Sequence, residues 1–146
     1  MLWPMTTEHP ARAASRRSME LVQSKGENAK EEWMALFADD AIIEDPIGAS
    51  PLDPEGKGHR GRDAISAFWD LTIAHVQLTF DIRSSYAAGN EVANVGMITS
   101  KLADGTTITV EGVFTYRVDA AGKIVALRAY WEFDKMVVSA GRASAG

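Results

Sequence analysis

The side chains able to do chemistry in this sequence are few and unevenly placed. Cysteine is absent, which removes disulfides, thiolate zinc sites and thiol nucleophiles together. The histidines, His9, His59 and His75, are widely scattered and form no ligand pair at helical spacing, so no metal is expected. The glycine-rich run Gly56-Lys57-Gly58-His59-Arg60-Gly61 lacks the strand-loop-helix setting of a phosphate loop, so no nucleotide or other cofactor is expected. Carboxylates, which can transfer protons, and phenol or indole groups, which can donate hydrogen bonds, are among the side chains that remain. Asp45 stands out among the acids. It ends the extended run Ala41-Ile42-Ile43-Glu44 and precedes Pro46, which biases it towards β or polyproline geometry, so it sits where a strand stops. An aspartate before proline also commonly begins a turn, and both readings stay open here. Glu44 faces the other way by alternation, and Asp39 and Asp40 fit caps or solvated turn acids.

The elements that position these groups are readable from apolar spacing. Ala11, Ala14, Ser18, Leu21 and Val22 recur at steps of three and four, predicting a helix over about 10–25 that Gly26 ends. Asn28 and Glu31 form an N-cap pattern for a second, short helix with Trp33, Leu36 and Phe37 as its stripe. Residues 47–61 predict a long surface loop, suited to a lid or rim. Asp63 opens a third helix with Ile65, Phe68, Trp69 and Thr72 on one face. Alternation then predicts four strands, carrying Val76 to Ile82, residues 91–102, Ile108 to Val118, and Val125 to Phe133. Asp104-Gly105 and the Asp119 to Gly122 turn join the last three into an antiparallel meander. Helices followed by a sheet predict a single α+β domain spanning 1–146, its core at about 10–135 and its tail frayed from Ser139.

Composition narrows the partners. With 146 residues, 46% hydrophobic and 24% charged, the chain suits one core. A net charge of −5 with no long basic run gives nucleic acid little to hold. Ser15-Arg16-Arg17 has the look of an export signal, but Glu20, Gln23, Lys25, Glu27 and Lys30 interrupt any apolar region after it. No apolar run approaches a membrane span, and the chain reads as cytoplasmic.

Three stretches carry a family resemblance: Leu36 to Gly48, Gly58 to Ile65 with Phe68-Trp69, and Asp119 to Ile124 continuing to Ala129-Tyr130-Trp131. Together they resemble the ketosteroid isomerase branch of the nuclear transport factor 2-like (SnoaL-like) superfamily, and more narrowly actinobacterial steroid isomerases. The resemblance implies a cone-shaped half-barrel of curved antiparallel sheet covered by three N-terminal helices, with a deep apolar pocket, usually paired as a homodimer through the sheet. Val113, Ala126 and Tyr130 on the outer face suit such a contact.

In that family an aspartate moves a proton between carbons while a tyrosine and a protonated aspartate stabilise the dienolate oxygen. The base maps to Asp45, where a carboxylate aimed into an apolar cavity gains the raised pKa that the step requires. The helical tyrosine maps to Ser18, and the acidic donor to Phe114. Glu111, the nearest acid, points to the opposite face. Removing one such donor typically costs roughly 10²- to 10³-fold in rate, so losing both implies roughly 10⁴- to 10⁶-fold. Tyr116 is the best substitute, sharing the inward face with Phe114. By parity and resemblance, the lining comprises Ser18, Phe37, Trp69, Met97, Phe114, Tyr116 and Trp131, around a small apolar ligand such as a steroid or polycyclic ketone.

The leading reading is therefore a steroid delta-isomerase-like enzyme, weak or altered, with Asp45 and Tyr116 as its catalytic pair. Its alternative is a non-catalytic binder of steroid-like ligands. Water activation or cyclisation in the same fold fits a lone carboxylate poorly, and a scaffold role through the sheet surface needs no pocket.

Overall fold

The computed structural model describes residues 8–141. Its first helix, α1, covers Pro10–Ser24, with proline in the first turn, where a missing N–H costs nothing. His9 caps this helix. Its Nδ1 accepts from the Ala11 N–H at 3.1 Å, and its Nε2 lies 2.8 Å from the Gly89 carbonyl. The buried face of α1 is built of Ala11, Ala14, Ser15, Ser18, Leu21 and Val22, small near the start and larger near the end. The helix ends at Ser24, two residues before Gly26, because Lys25 itself takes the left-handed conformation at φ 45° and its ammonium is held by the Val76 carbonyl.

Helix α2 is shorter than the apolar stripe predicts, covering Ala29–Met34. Asn28 makes no side-chain capping bond; the Ala29 N–H to Gly26 carbonyl bond holds the entry instead. Phe37 falls beyond the helix and opens strand β1, Phe37–Glu44, where its ring meets Trp33 edge-on at 4.6 Å between centroids. The long loop after β1 is not wholly irregular: His59–Arg60 forms β2, antiparallel to β1 through Ile43↔His59 and Ile42↔Arg60. Helix α3, Arg62–Thr72, then begins at Gly61, whose φ of 89° disfavours any side chain. It buries Ile65, Phe68 and Trp69.

The expected meander forms from β3 (Gln77–Ala88), β4 (Glu91–Lys101), β5 (Thr107–Val118) and β6 (Ile124–Tyr130). With β1 parallel to β6, the strand order is β2-β1-β6-β5-β4-β3. The domain is thus the expected α+β fold, three N-terminal helices over one face of a curved, mainly antiparallel sheet. No helix among the described residues is long and apolar enough to cross a membrane.

One departure matters for the site. Trp131 and Phe133, expected inside the last strand, lie after it: β6 ends at Tyr130, a 3₁₀ turn occupies Phe133–Lys135, and β7 (Val137–Ser139) rejoins β5. The chain leaves the sheet here and so frees Trp131 to turn inward. Gly112 on β5 permits it, since a Cβ at that position would collide with the Tyr130 carbonyl oxygen and meet the Trp131 Cβ at 3.0 Å. The first obstacle is backbone, which cannot swing aside as a side-chain tip does. Gly112→Ala is expected to cost about 1–3 kcal/mol as an overpacking change, read as a lowered thermal midpoint, and to change the fluorescence of Trp131.

Candidate active site

Between the helices and the concave face of the sheet lies a cavity of about 490 Å³. Helices α1 and α3 supply Val22 and Phe68, and the sheet supplies Phe80, Ile98, Val110 and Phe114, so the wall is mostly hydrocarbon and aromatic ring. Asp45 lies in this wall because of the pleat. Ala41 and Ile43 on β1 point inward and are fully buried, and the next residue on that alternation is 45. The β1–β6 register pairs Ile43 with Leu127 and Glu44 with Arg128; continued by one residue it sets Asp45 beside Ala129, which pairs with Phe114 on β5.

Two residues beyond Ala129, the Trp131 Nε1–H donates to Asp45 Oδ1 at 2.6 Å. Burial among protein atoms pushes the Asp45 carboxyl above the ordinary carboxylate range; the Trp131 hydrogen bond and the charge of His59 pull in the opposite direction without cancelling it. Its residual exposure faces the cavity it lines. Glu44, on the opposite face as expected, is paired with Arg128 at 2.9 Å in a polar outer groove that also holds Arg60 and Arg117.

A second polar group lies on the cavity wall. Ser18 Oγ accepts from the Trp33 Nε1–H at 3.0 Å and from the Tyr116 O–H at 3.3 Å. All three residues are buried. The Tyr116 phenol is pushed up to about 12 by burial, with the Asp45 charge adding to the rise and the Ser18 bond opposing it, so it stays protonated at neutral pH.

Of the residues expected to line the cavity, Asp45, Ser18, Phe114, Tyr116 and Trp131 do so. Phe37, Trp69 and Met97 do not. Phe37 and Trp69 pack on Trp33, Trp69 at 5.2 Å between centroids, as solid core behind the wall. Met97 pairs with Asp81 and Glu111 on the outward phase of β4, whose inward phase runs through Val92, Asn94, Gly96 and Ile98. The loop contributes Pro51 and Leu52 to the cavity, Leu52 half exposed. The most consequential residue missed is Trp33, which reads as core from its spacing although its N–H orients Ser18. Among the described residues, no three His, Asp or Glu side chains converge as a metal site would require.

Residues 16–127 match the SnoaL-like domain. The chain belongs to the SnoaL-like family. Within it, the protein is 31% identical over 105 residues to the Steroid Delta-isomerase of Nocardioides simplex, covering 72% of this chain and 78% of that one. The Delta 5-3-ketosteroid isomerase from Mycobacterium sp. is 40% identical, with a TM-score of 0.85 over 90% of this SnoaL-like chain and all of its own. RV0760c from Mycobacterium tuberculosis, solved in complex with estradiol-17beta-hemisuccinate, is 41% identical, with a TM-score of 0.83 over 89% of this chain and 99% of its own.

The raised Asp45 pKa makes a prediction about stability. At a pH below the ordinary carboxylate range, folded and unfolded chains both carry a proton there, and the residue costs nothing. As pH rises, the unfolded chain ionises first and the folded state loses stability until its own higher pKa is passed. Asp45→Asn keeps an oxygen for Trp131 and removes that loss. The variant is expected to melt a few degrees above the wild type at pH 7, with the gap closing near pH 3.5; an unchanged gap across this range would contradict the ionisation account.

Proposed function

We propose that this protein is a steroid delta-isomerase-type catalyst acting on a steroid or similar apolar ketone, with Asp45 as its base. The observation that carries this reading is the Asp45 carboxylate, set in an apolar cavity with its pKa raised and its orientation fixed by the Trp131 indole. An ionised Asp45 would take a proton from the carbon between a ketone and a β,γ double bond. The electron pair moves onto the ketone oxygen as a dienolate, and the same proton returns to the far carbon, leaving the double bond conjugated and the base restored. Tyr116 and Ser18 are the hydroxyls available to the developing oxyanion. The steroid-related names and ligand of the SnoaL-like relatives support the substrate class.

A second reading, a steroid binder without turnover, is favoured by Phe114. It occupies the wall with no polar atom where the family resemblance calls for an acidic donor. The two readings separate in one assay. Purified protein with 5-androstene-3,17-dione is expected to produce conjugated enone absorbance slowly, and Asp45→Asn to lower that rate at least about 10²-fold. Saturable binding without turnover would establish the binder. Trp131→Phe removes the hydrogen bond that favours the ionised carboxylate, so the acid limb of the rate profile is expected to move to higher pH; an unmoved limb would separate the indole from the base.

The homodimer belongs to the same proposal. Val113 pairs with half-exposed Tyr130 across the outer face of the sheet, and Val95 flanks Val113 there. Light scattering is expected to give twice the chain mass, and Tyr130→Asp to halve it; a wild-type monomer at high concentration would contradict the assembly.

A further inference from the structure

The strand order leaves the sheet two ends of very different length. At one end β2 is only two residues long, too short to template a partner. The other end is β3, with twelve residues. In an antiparallel pair every second residue turns its N–H and C=O away from the neighbouring strand. Counted back from the β3–β4 hairpin, that outward phase of β3 runs through Ala87 and Ser85; the register shift between Ser84 and Ile82 moves it by one, and Ile82, Phe80, Leu78 and Val76 continue it. A long run of outward backbone groups is a docking edge for an extended chain unless something covers it.

Helix α1 covers it with side chains. Lys25 donates to the Val76 carbonyl, and Gln23 Oε1 accepts from the Phe80 N–H at 3.1 Å. Arg12 donates to Ser85 Oγ at 3.1 Å and to the Ser85 carbonyl at 3.3 Å, and His9 Nε2 lies 2.8 Å from the carbonyl of the turn residue Gly89. The Gln23 amide is itself held, since its Nε2 donates to the Met19 carbonyl at 3.1 Å and so keeps the oxygen aimed at the strand. The spacing of these contacts is the telling feature. They fall at 76, 80, 85 and 89, every other member of the outward phase, with Leu78, Ile82 and Ala87 between them. An incoming strand must bond at successive outward residues, and among the described residues no two successive ones are free of an α1 side chain.

We propose that the β3 edge is a docking surface for a second copy of this chain, paired β3 to β3, and that His9, Arg12, Gln23 and Lys25 of α1 hold it shut. The occupant follows from the strand itself. An antiparallel pair of β3 strands centred on Ile82 is two-fold symmetric and closes on itself. It brings Asp81 of each copy within cross-strand reach of Arg83 of the other, so the exposed charges at the middle of the edge become opposite pairs. The α1 side chains therefore act as an inhibitory contact that decides whether the sheet ends at β3 or continues into another molecule.

The test opens the edge and reads association by sedimentation, in a full-length Tyr130→Asp parent so that the outer sheet face does not contribute. Gln23→Ala frees Leu78, Phe80 and Ile82 as one run, and Arg12→Ala frees Ile82, Ser85 and Ala87. The double variant is expected to keep the circular dichroism of the parent, to reach about twice the parent's mass as concentration rises, and to gain the infrared amide band of strands paired between molecules. Arg12→Lys with Gln23→Glu, which restores a donor and an acceptor at the same places, is expected to sediment as the parent does. Gly112→Ala in the same parent, destabilised on β5 and not at the edge, is expected to do so too. Adding Asp81→Arg to the double variant sets like charges opposite one another and is expected to return it to the parent's mass. A folded double variant that sediments as the parent at every concentration, or equal association by Gly112→Ala, would overturn the proposal; association indifferent to Asp81→Arg would overturn the β3-to-β3 pairing. Gln23→Ala alone carries the same outcomes should the double variant not fold.

Discussion

The site depends on one constraint, an ionisable carboxyl held where water is scarce. Desolvation raises its pKa, and a buried charge with no partner would be expelled or neutralised. The Trp131 indole resolves the conflict partway, offering one strong donor without a counter-charge that would hold the carboxylate permanently ionised. The requirement propagates outward. The indole reaches Asp45 only because the chain leaves the sheet after Tyr130, and that exit lies against a residue without a side chain, Gly112.

The hydroxyl group across the cavity solves a different problem with similar means. Ser18, Tyr116 and Trp33 come from α1, β5 and α2, so their convergence ties both helices to the sheet at one point. The side chains behind them are aromatic and closely packed, which makes their hydrogen-bond directions hard to change. A cavity wall of alkyl and ring surface accepts many apolar shapes, and a few polar groups in such a wall give a bound molecule its orientation.

The order and type of most elements were legible because each carries its own pattern: the small-residue face of α1, the alternation of β3 to β5, and the Asp-Gly turns. Asp45 was legible for a related reason, since the Ala41 and Ile43 phase leads directly to it. Met97 was misplaced because β4 inverts the usual signal: its inward phase includes polar Asn94 and bare Gly96, while Val95 and Met97 lie outward. Phe37 and Trp69 were misplaced because a buried ring facing solid core and one facing a cavity leave the same trace in a sequence. The parallel pairing of β1 with β6 and the short β7 had no local signature, since each depends on partners distant in the chain. The Trp33 to Ser18 bond was hidden likewise, as spacing reports which face of a helix is buried and not where an indole N–H points.

The β1–β6 pairing has a kinetic meaning. Asp45 and Trp131 are 86 residues apart in the chain, and they meet only when the first strand docks onto one of the last. Closing so long a segment carries its entropy cost before any contact across it is gained. Partly folded chains can hold the β3–β4 hairpin, a local structure, and still lack any trace of the site. A molecule that fits the completed cavity therefore binds the native chain alone, and by mass action it draws the folding equilibrium towards the closed sheet.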